Sequence, residues 1–269
     1  MQSVTLNNGV EMPQIGLGTF ALKESAIADA LQSGYRMLDT AWQYGNEEEV
    51  GNAVRHSGID RKDIFITTKL WTDHIRQHAV REAFEDSLRK LQTDYVDLYL
   101  LHWPAEGFEA AWKVMEELYA EGRARAIGVS NCHVQHLKLL TKVLDIVPAV
   151  NQVESSPLFN NEALIQYSRD RGIVPEAWCP LGGSGCYKRV LENPLIMDMA
   201  RRYDRTEAQI VLRWHIQRGI VIIPRSSDKE RQKKNLDVTD FELTAEDMAV
   251  INGIDTGKRV GANPDTFNF

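Results

Sequence analysis

Eight short apolar runs, each bounded by turn formers or polar residues, recur along this chain with helix-period segments between them, and few folds accommodate that alternation. The runs are QIGLG at 14–18, YRMLD at 35–39, IFITTKL at 64–70, VDLYLLH at 96–102, RAIGVS at 125–130, PAVNQVE at 148–154, GIVPEAW at 172–178 and GIVIIPRS at 219–226. Between them the spacing is helical: over 76–91, Val80, Phe84, Leu88 and Leu91 share one face while Arg81, Glu82, Glu85 and Arg89 face water. Gly34, Gly122, Gly172 and Gly219 each stand after a helical segment and before a strand, where a left-handed cap is wanted. Strands that are apolar almost throughout belong to a sheet covered on both sides. A closed (β/α)8 barrel over residues 1 to 269, one α/β domain, is the simplest architecture, and 269 residues with 43% hydrophobic content suffice for its core.

Two additions to the barrel are legible. Asn8-Gly9 between strand-like runs in VTLNNGVEM predicts a hairpin with a two-residue turn that caps one mouth. After the eighth strand, DKERQKKNL and TAEDMAVINGI read as a last barrel helix and an extra one, and GKRVGANPDTFNF as an irregular tail.

Composition excludes some partners. The formal net charge is -7 with both signs interspersed, so no positive stripe offers a footprint for nucleic acid or anionic lipid. No leader-like N-terminus and no run approaching the ~20 apolar residues of a membrane span are present. Cys132, Cys179 and Cys186 lack metal-ligand spacing and read as small hydrophobes of a reducing, cytoplasmic compartment. The pairs His74/His78 and His133/His136 have helical spacing without a carboxylate at a strand end, which is a weak metal signal. A metal-dependent hydrolase on this barrel is therefore disfavoured, and a barrel that only binds a cofactor remains a second alternative.

In such a barrel, chemistry gathers at the C-terminal ends of the strands. Those ends carry Asp39, Lys69, His102, Ser130-Asn131, Gln152 and Glu154, Trp178, and Arg225-Ser226. Any one is readily a capping or solvated group; an Asp, a Lys and a His converging on one rim point to catalysis. A tyrosine with a pKa near ~10 is a poor acid at neutral pH unless an adjacent ammonium favours its ionised form. Lys69 is placed to be that ammonium, Asp39 to hold it, and the loop after Asp39 to deliver Tyr44 above the pair. His102 is placed to orient a carbonyl oxygen or to share in proton transfer.

The stretches GLGTF at 16–20, LDTAWQYGNEEEVG at 38–51, ITTKLW at 66–71, DYVDLYLLHWP at 94–104, GVSN at 128–131, NQVE at 151–154 and IPRSSDKERQKKN at 223–235 resemble the aldo-keto reductases. The likeness runs in order from residue 4 into NPDTF of the tail, and is nearest to the small prokaryotic-type branch that includes 2,5-diketo-gluconate reductases. It implies a TIM barrel that reduces aldehydes and ketones with NADPH, with Asp39, Tyr44, Lys69 and His102 as catalytic tetrad and Tyr44 as general acid. A GxGxxG fingerprint is not expected in this family. The resemblance places Gly18 and Thr19 beside the nicotinamide ribose, Ser130, Asn131 and Gln152 on the carboxamide, and Trp178 against the ring. Asp39, Cys179 and Leu181 complete those contacts, and Arg225, Ser226, Arg231 and Asn235 form the adenosine-phosphate site.

Two guanidiniums and a hydroxyl near a helix N-terminus suit a phosphate dianion and favour NADPH over NADH. Arg225 stands where the family commonly has lysine, and Lys234 where an acidic or amide residue is common. Phe20, Trp71 and Trp103, next to Thr19, Lys69 and His102, are expected to wall the substrate pocket together with His102. Trp42 and Gln43 replace smaller residues of relatives, which is expected to narrow that pocket or add a polar contact. The short WPAEGFEAAW connection is expected to leave the mouth open. The expected partner is a small carbonyl compound, acted on by a monomer.

Overall fold

The computed structural model describes residues 2–267; Met1 and the last two residues of the expected tail lie outside it. The chain opens with a hairpin of β1 (Ser3–Thr5) and β2 (Glu11–Pro13). The barrel follows, in order β3 (Leu17–Gly18), α1 (Glu24–Gln32), β4 (Met37–Asp39), α2 (Glu47–His56), β5 (Phe65–Leu70), α3 (Thr72–Arg76), α4 (Val80–Leu91), β6 (Leu98–Leu101) and α5 (Phe108–Ala120). It continues with β7 (Ile127–Ser130), α6 (Val134–Leu140), β8 (Val150–Glu154), α7 (Glu162–Arg169) and β9 (Val174–Trp178). Three helices, α8 (Gly183–Leu191), α9 (Pro194–Tyr203) and α10 (Glu207–Gln217), precede β10 (Val221–Ile222), and α11 (Lys229–Leu236) and α12 (Ala245–Asn252) close the chain.

Strands β3 to β10 form one parallel sheet in sequential order. It closes on itself through a parallel bridge between Ile15 and Ile222, where Gly16 N–H donates to Ile222 O at 2.8 Å and Ile222 N–H to Gln14 O at 3.0 Å. All eight apolar runs become strands of this barrel, and the four helix-to-strand glycines all have positive φ.

Three local expectations need correction. The hairpin closes across Leu6 and Val10 rather than through a two-residue turn: Leu6 N–H donates to Val10 O, and Gly9 (φ 84°) takes the left-handed position of a three-residue loop. The segment 76–91 is not one helix. His78 has a φ of 55°, which breaks the ladder and separates α3 from α4. The connection after His102 is short, since α5 begins at Phe108, yet the tail covers that side of the mouth, with the Phe267 ring stacked on Trp103 at 3.9 Å and 3°.

Two apolar layers hold the barrel. Between sheet and helices pack Ile66, Tyr99, Leu101, Phe84, Trp112 and Trp214, all buried; each such side chain contributes roughly 1.5–3 kcal/mol through removal from water. Inside the N-terminal mouth, Leu6 and Met12 of the hairpin meet Met37, Phe65, Leu98, Val150 and Val221. Asn7 and Asn8 fasten the hairpin there by donating to Pro148 O and Arg125 O. The hairpin thus plugs the end opposite the polar rim and leaves the C-terminal mouth for chemistry.

Candidate active site

The rim residues are delivered by strand ends whose register brings them to one level. Lys69, on β5, is fully buried, and its Nζ donates to Asp39 Oδ1 at 2.6 Å and to Thr40 O at 2.9 Å. The same ammonium reaches the Tyr44 hydroxyl at 3.5 Å. Tyr44 comes from a short 3-10 turn, Trp42–Tyr44, which Gly45 ends with a left-handed residue and Asn46 braces by donating to Thr19 O and Leu22 O. The His102 ring lies edge-on to Tyr44, with centroids 5.7 Å apart. The structure therefore brings Asp39, Tyr44, Lys69 and His102 together.

Electrostatics refine the expectation. Burial pushes the Tyr44 phenol up, the Lys69 charge pulls it down and Asp39 pushes it up again, and the balance leaves it raised. Lys69 lowers the phenol relative to what burial alone would give, without bringing it below the ordinary tyrosine value. Burial works against the Lys69 ammonium, but Asp39 and Tyr44 outweigh it and the group is held charged. Burial first, then Lys69, drives His102 well below the ordinary histidine value, so it is neutral. Its Nδ1 is buried with no hydrogen-bond partner among the described residues.

The expected carboxamide contacts are already engaged with one another. Ser130 Oγ donates to Gln152 O (2.9 Å), and Asn131 Nδ2 to His102 O (3.0 Å) and Ser130 Oγ (3.1 Å). Asn131 Oδ1 accepts from Trp178 Nε1 at 2.9 Å. Gln152 Nε2 faces inward, between Asp39 Oδ2 at 2.8 Å and Glu176 Oε2 at 2.9 Å. Beside Trp178, Cys179 takes a left-handed φ of 51° and Leu181 is buried; burial pushes the Cys179 thiol up to about 11. Cys132 is wholly buried, as a small hydrophobe would be, whereas Cys179 and Cys186 are half-buried.

Beside Asp39, Gly18 and Thr19 are buried in the barrel wall and Thr19 Oγ1 donates to Asp39 O. Arg225 is exposed and donates to Phe20 O at 3.2 Å. Ser226 and Asn235 are buried, and Arg231 stands out from the first turn of α11. The α11 N-terminus itself is occupied, because the Asp228 carboxylate accepts from Arg231 N–H at 2.8 Å. The Asp228 carboxylate thus caps one N–H of the first turn and sets a negative charge beside it.

On the substrate side, Phe20 is exposed and edge-on to Tyr44 at 5.1 Å, and Trp71 is edge-on to His102 at 5.2 Å. With Trp103 and Phe267 they line one aromatic mouth. Trp42 does not belong to it. Its indole turns toward α4, donating to Asp86 Oδ2 at 3.0 Å beneath the Lys90 ammonium, and meets His74 edge-on. Gln43 is exposed. His133 Nδ1 and His136 Nε2 lie 2.9 and 3.8 Å from Asp265 and so help hold the tail.

Two carboxylates take roles that the motif reading does not assign. Glu154 reaches into the tail, accepting from Val260 N–H and Gly261 N–H. Gly261 lies so close to Trp178 that a Cβ would come within 2.3 Å of its ring. Glu176 is wholly buried inside the barrel and bonded to Gln152. A carboxylate within an otherwise apolar strand was the available signal.

Residues 14–256 match the Aldo/keto reductase family, and the chain belongs to it. It is 46% identical to the morphine 6-dehydrogenase of Pseudomonas putida (99% of this chain, 96% of that one). It is 42% identical to the glyoxal reductase of Bacillus subtilis (99% and 98%) and to the methylglyoxal reductase DkgA of Escherichia coli (98% and 97%). An aldo-keto reductase from a Medee basin deep-sea metagenome library superposes with a TM-score of 0.96 at 44% identity, covering 99% of this chain and 100% of that one. Among the described residues no helix is long and apolar enough to cross a membrane.

Proposed function

We propose that the protein is a cytoplasmic enzyme that reduces small aldehydes and ketones to alcohols with NADPH, with Tyr44 as general acid. The observation that carries this reading is the buried Asp39–Lys69 pair, 2.6 Å apart, with its ammonium turned to the Tyr44 hydroxyl. When bound, the cofactor supplies a hydride to the carbonyl carbon. Tyr44 donates its proton to the carbonyl oxygen, and the nearby Lys69 charge stabilises the phenolate left behind. Neutral His102 donates a hydrogen bond to the same oxygen and orients it.

The donor set suits the cofactor. Ser130, Asn131 and Gln152 put amide and hydroxyl groups at adjacent strand ends, matching the in-plane donors and acceptors of a carboxamide, and Trp178 offers an aromatic face. Arg225 and Arg231, with Ser226 and Asn235, supply charge for a phosphate on the adenosine ribose. The aromatic mouth of Phe20, Trp71 and Trp103 suits small carbonyls, the class for which its glyoxal reductase and methylglyoxal reductase relatives are named. NADPH oxidation with a panel of glyoxal, methylglyoxal, aromatic aldehydes and sugar-derived diketones tests the proposal. Turnover of several is expected; cofactor binding without turnover of any would replace the reductase with a binding protein.

A further inference from the structure

Glu176 lies in the middle of β9, paired in register with Gln152 of β8 and Val221 of β10, and is fully buried. Its Oε2 accepts from Gln152 Nε2, which also donates to Asp39 Oδ2. Its Oε1 is buried with no partner among the described residues. The charged groups acting on it are Asp39 from β4 and Lys69 from β5, and its neighbour on β10 is apolar. Around Glu176 the described residues therefore place two carboxyl groups and one ammonium, linked through the Gln152 amide.

One ammonium offsets one carboxylate. A second ionised carboxylate in the same water-excluded space would be an uncompensated buried charge, and such groups keep a proton instead. Asp39 touches Lys69 directly at 2.6 Å, whereas among the described residues the only hydrogen bond to Glu176 comes from Gln152. The proton therefore stays on Glu176.

We propose that Glu176 is a positioning residue of the reductase centre: it stays protonated, anchors Gln152 against Asp39, and leaves the Lys69 charge undiminished for Tyr44. This rests on the reading of Tyr44 as proton donor. Loss of the Glu176 proton would add a negative charge behind Lys69, disfavour the phenolate and slow carbonyl reduction. Burial first, with Asp39 next, pushes the Glu176 carboxyl up to about 8, below the raised Tyr44 phenol. An alkaline fall in rate then belongs to Glu176 and not to the tyrosine.

The test compares the pH profile of single-turnover reduction of one aldehyde by the wild-type chain and by Glu176→Gln, whose amide imitates the protonated acid. The wild type should fall by about tenfold per pH unit above its midpoint. Glu176→Gln should stay within about twofold of wild type near neutrality and lack that fall. Infrared spectra of the cofactor-free wild type should show a protonated carboxyl band that shifts with carbon-13 glutamate, titrates with the same midpoint as the rate, and is missing in Glu176→Gln. Glu47, also buried, bonds to Thr68, so any band of its own survives that substitution. Coincident falls in both proteins, or a folded Glu176→Gln inactive at every pH, would overturn the proposal. Should that variant not fold, a wild type without a glutamate band titrating alongside the rate overturns it equally. A chain that reduces no carbonyl at all sinks the reductase reading, and the infrared band then judges Glu176 alone.

Discussion

The ammonium of Lys69 and the carboxylate of Asp39 form a fully buried ion pair at 2.6 Å. Removing one member of such a pair leaves the other charge unpaired, which typically costs about 3–5 kcal/mol. Both Asp39→Asn and Lys69→Met should therefore lower stability as well as rate, and the two rate losses should not add. Single-turnover kinetics on the single and double variants, at a temperature where all are folded, check this; multiplicative losses would mean that the two residues act independently.

Tyr44→Phe removes the hydroxyl that Lys69 reaches and none of the proposed cofactor contacts. Carbonyl reduction should fall by about 10²–10⁴-fold, the usual contribution of a positioned acid, with NADPH affinity nearly unchanged. Stopped-flow reduction and a fluorescence titration of the cofactor measure the two quantities separately. Wild-type turnover would remove Tyr44 from the chemistry.

Arg231→Ala should weaken NADPH by about 1.5–3 kcal/mol, the range of a hydrogen bond to a charged group, and leave NADH nearly unaffected. The Arg231 N–H is already taken by Asp228, so the guanidinium is the part of Arg231 left to meet a phosphate. Equal weakening of both cofactors in calorimetric titrations would place Arg231 on a part that they share.

Trp42→Phe should cost about 1.5–3 kcal/mol of stability through the lost bond to the Asp86 carboxylate, with kcat/KM for small aldehydes unchanged. The indole faces α4. A shifted KM at unchanged stability, by denaturant melts and initial rates, would return Trp42 to the pocket.

Glu176 also ties stability to pH. Its carboxyl is pushed up to about 8 in the fold, against about 4.3 in an unfolded chain, so the native state binds the extra proton between those values. Its contribution is complete below about pH 4 and is lost as pH rises through about 8. Melting temperatures of Glu176→Gln should gain on wild type across that window; parallel curves would show that the side chain does not titrate there.

The barrel was legible because its signals are local: apolar runs, helix spacing and glycine caps each depend on a few neighbouring residues. That Asp39, Lys69 and His102 meet on one rim was legible because strand ends converge by construction in this architecture. What escaped depends on direction. Trp42 sits two residues before Tyr44, yet its side chain finds a carboxylate and an ammonium on α4, and spacing along the chain does not encode which way an indole turns. Glu154 and Glu176 both read as strand residues, and only the closed sheet shows that one fastens a tail and the other meets Asp39 across the barrel. His78 hid the break between α3 and α4 because a left-handed non-glycine residue carries no compositional mark.

Sheet closure has a consequence during synthesis. The bonds from Gly16 to Ile222 and from Ile222 to Gln14 join the first barrel strand to the last, so a nascent chain carries two unpaired strand edges until residue 222 has left the ribosome. Open edges template pairing with other chains, and the polypeptide is exposed to aggregation for most of its translation. That hazard ends only when the eighth strand docks beside the first.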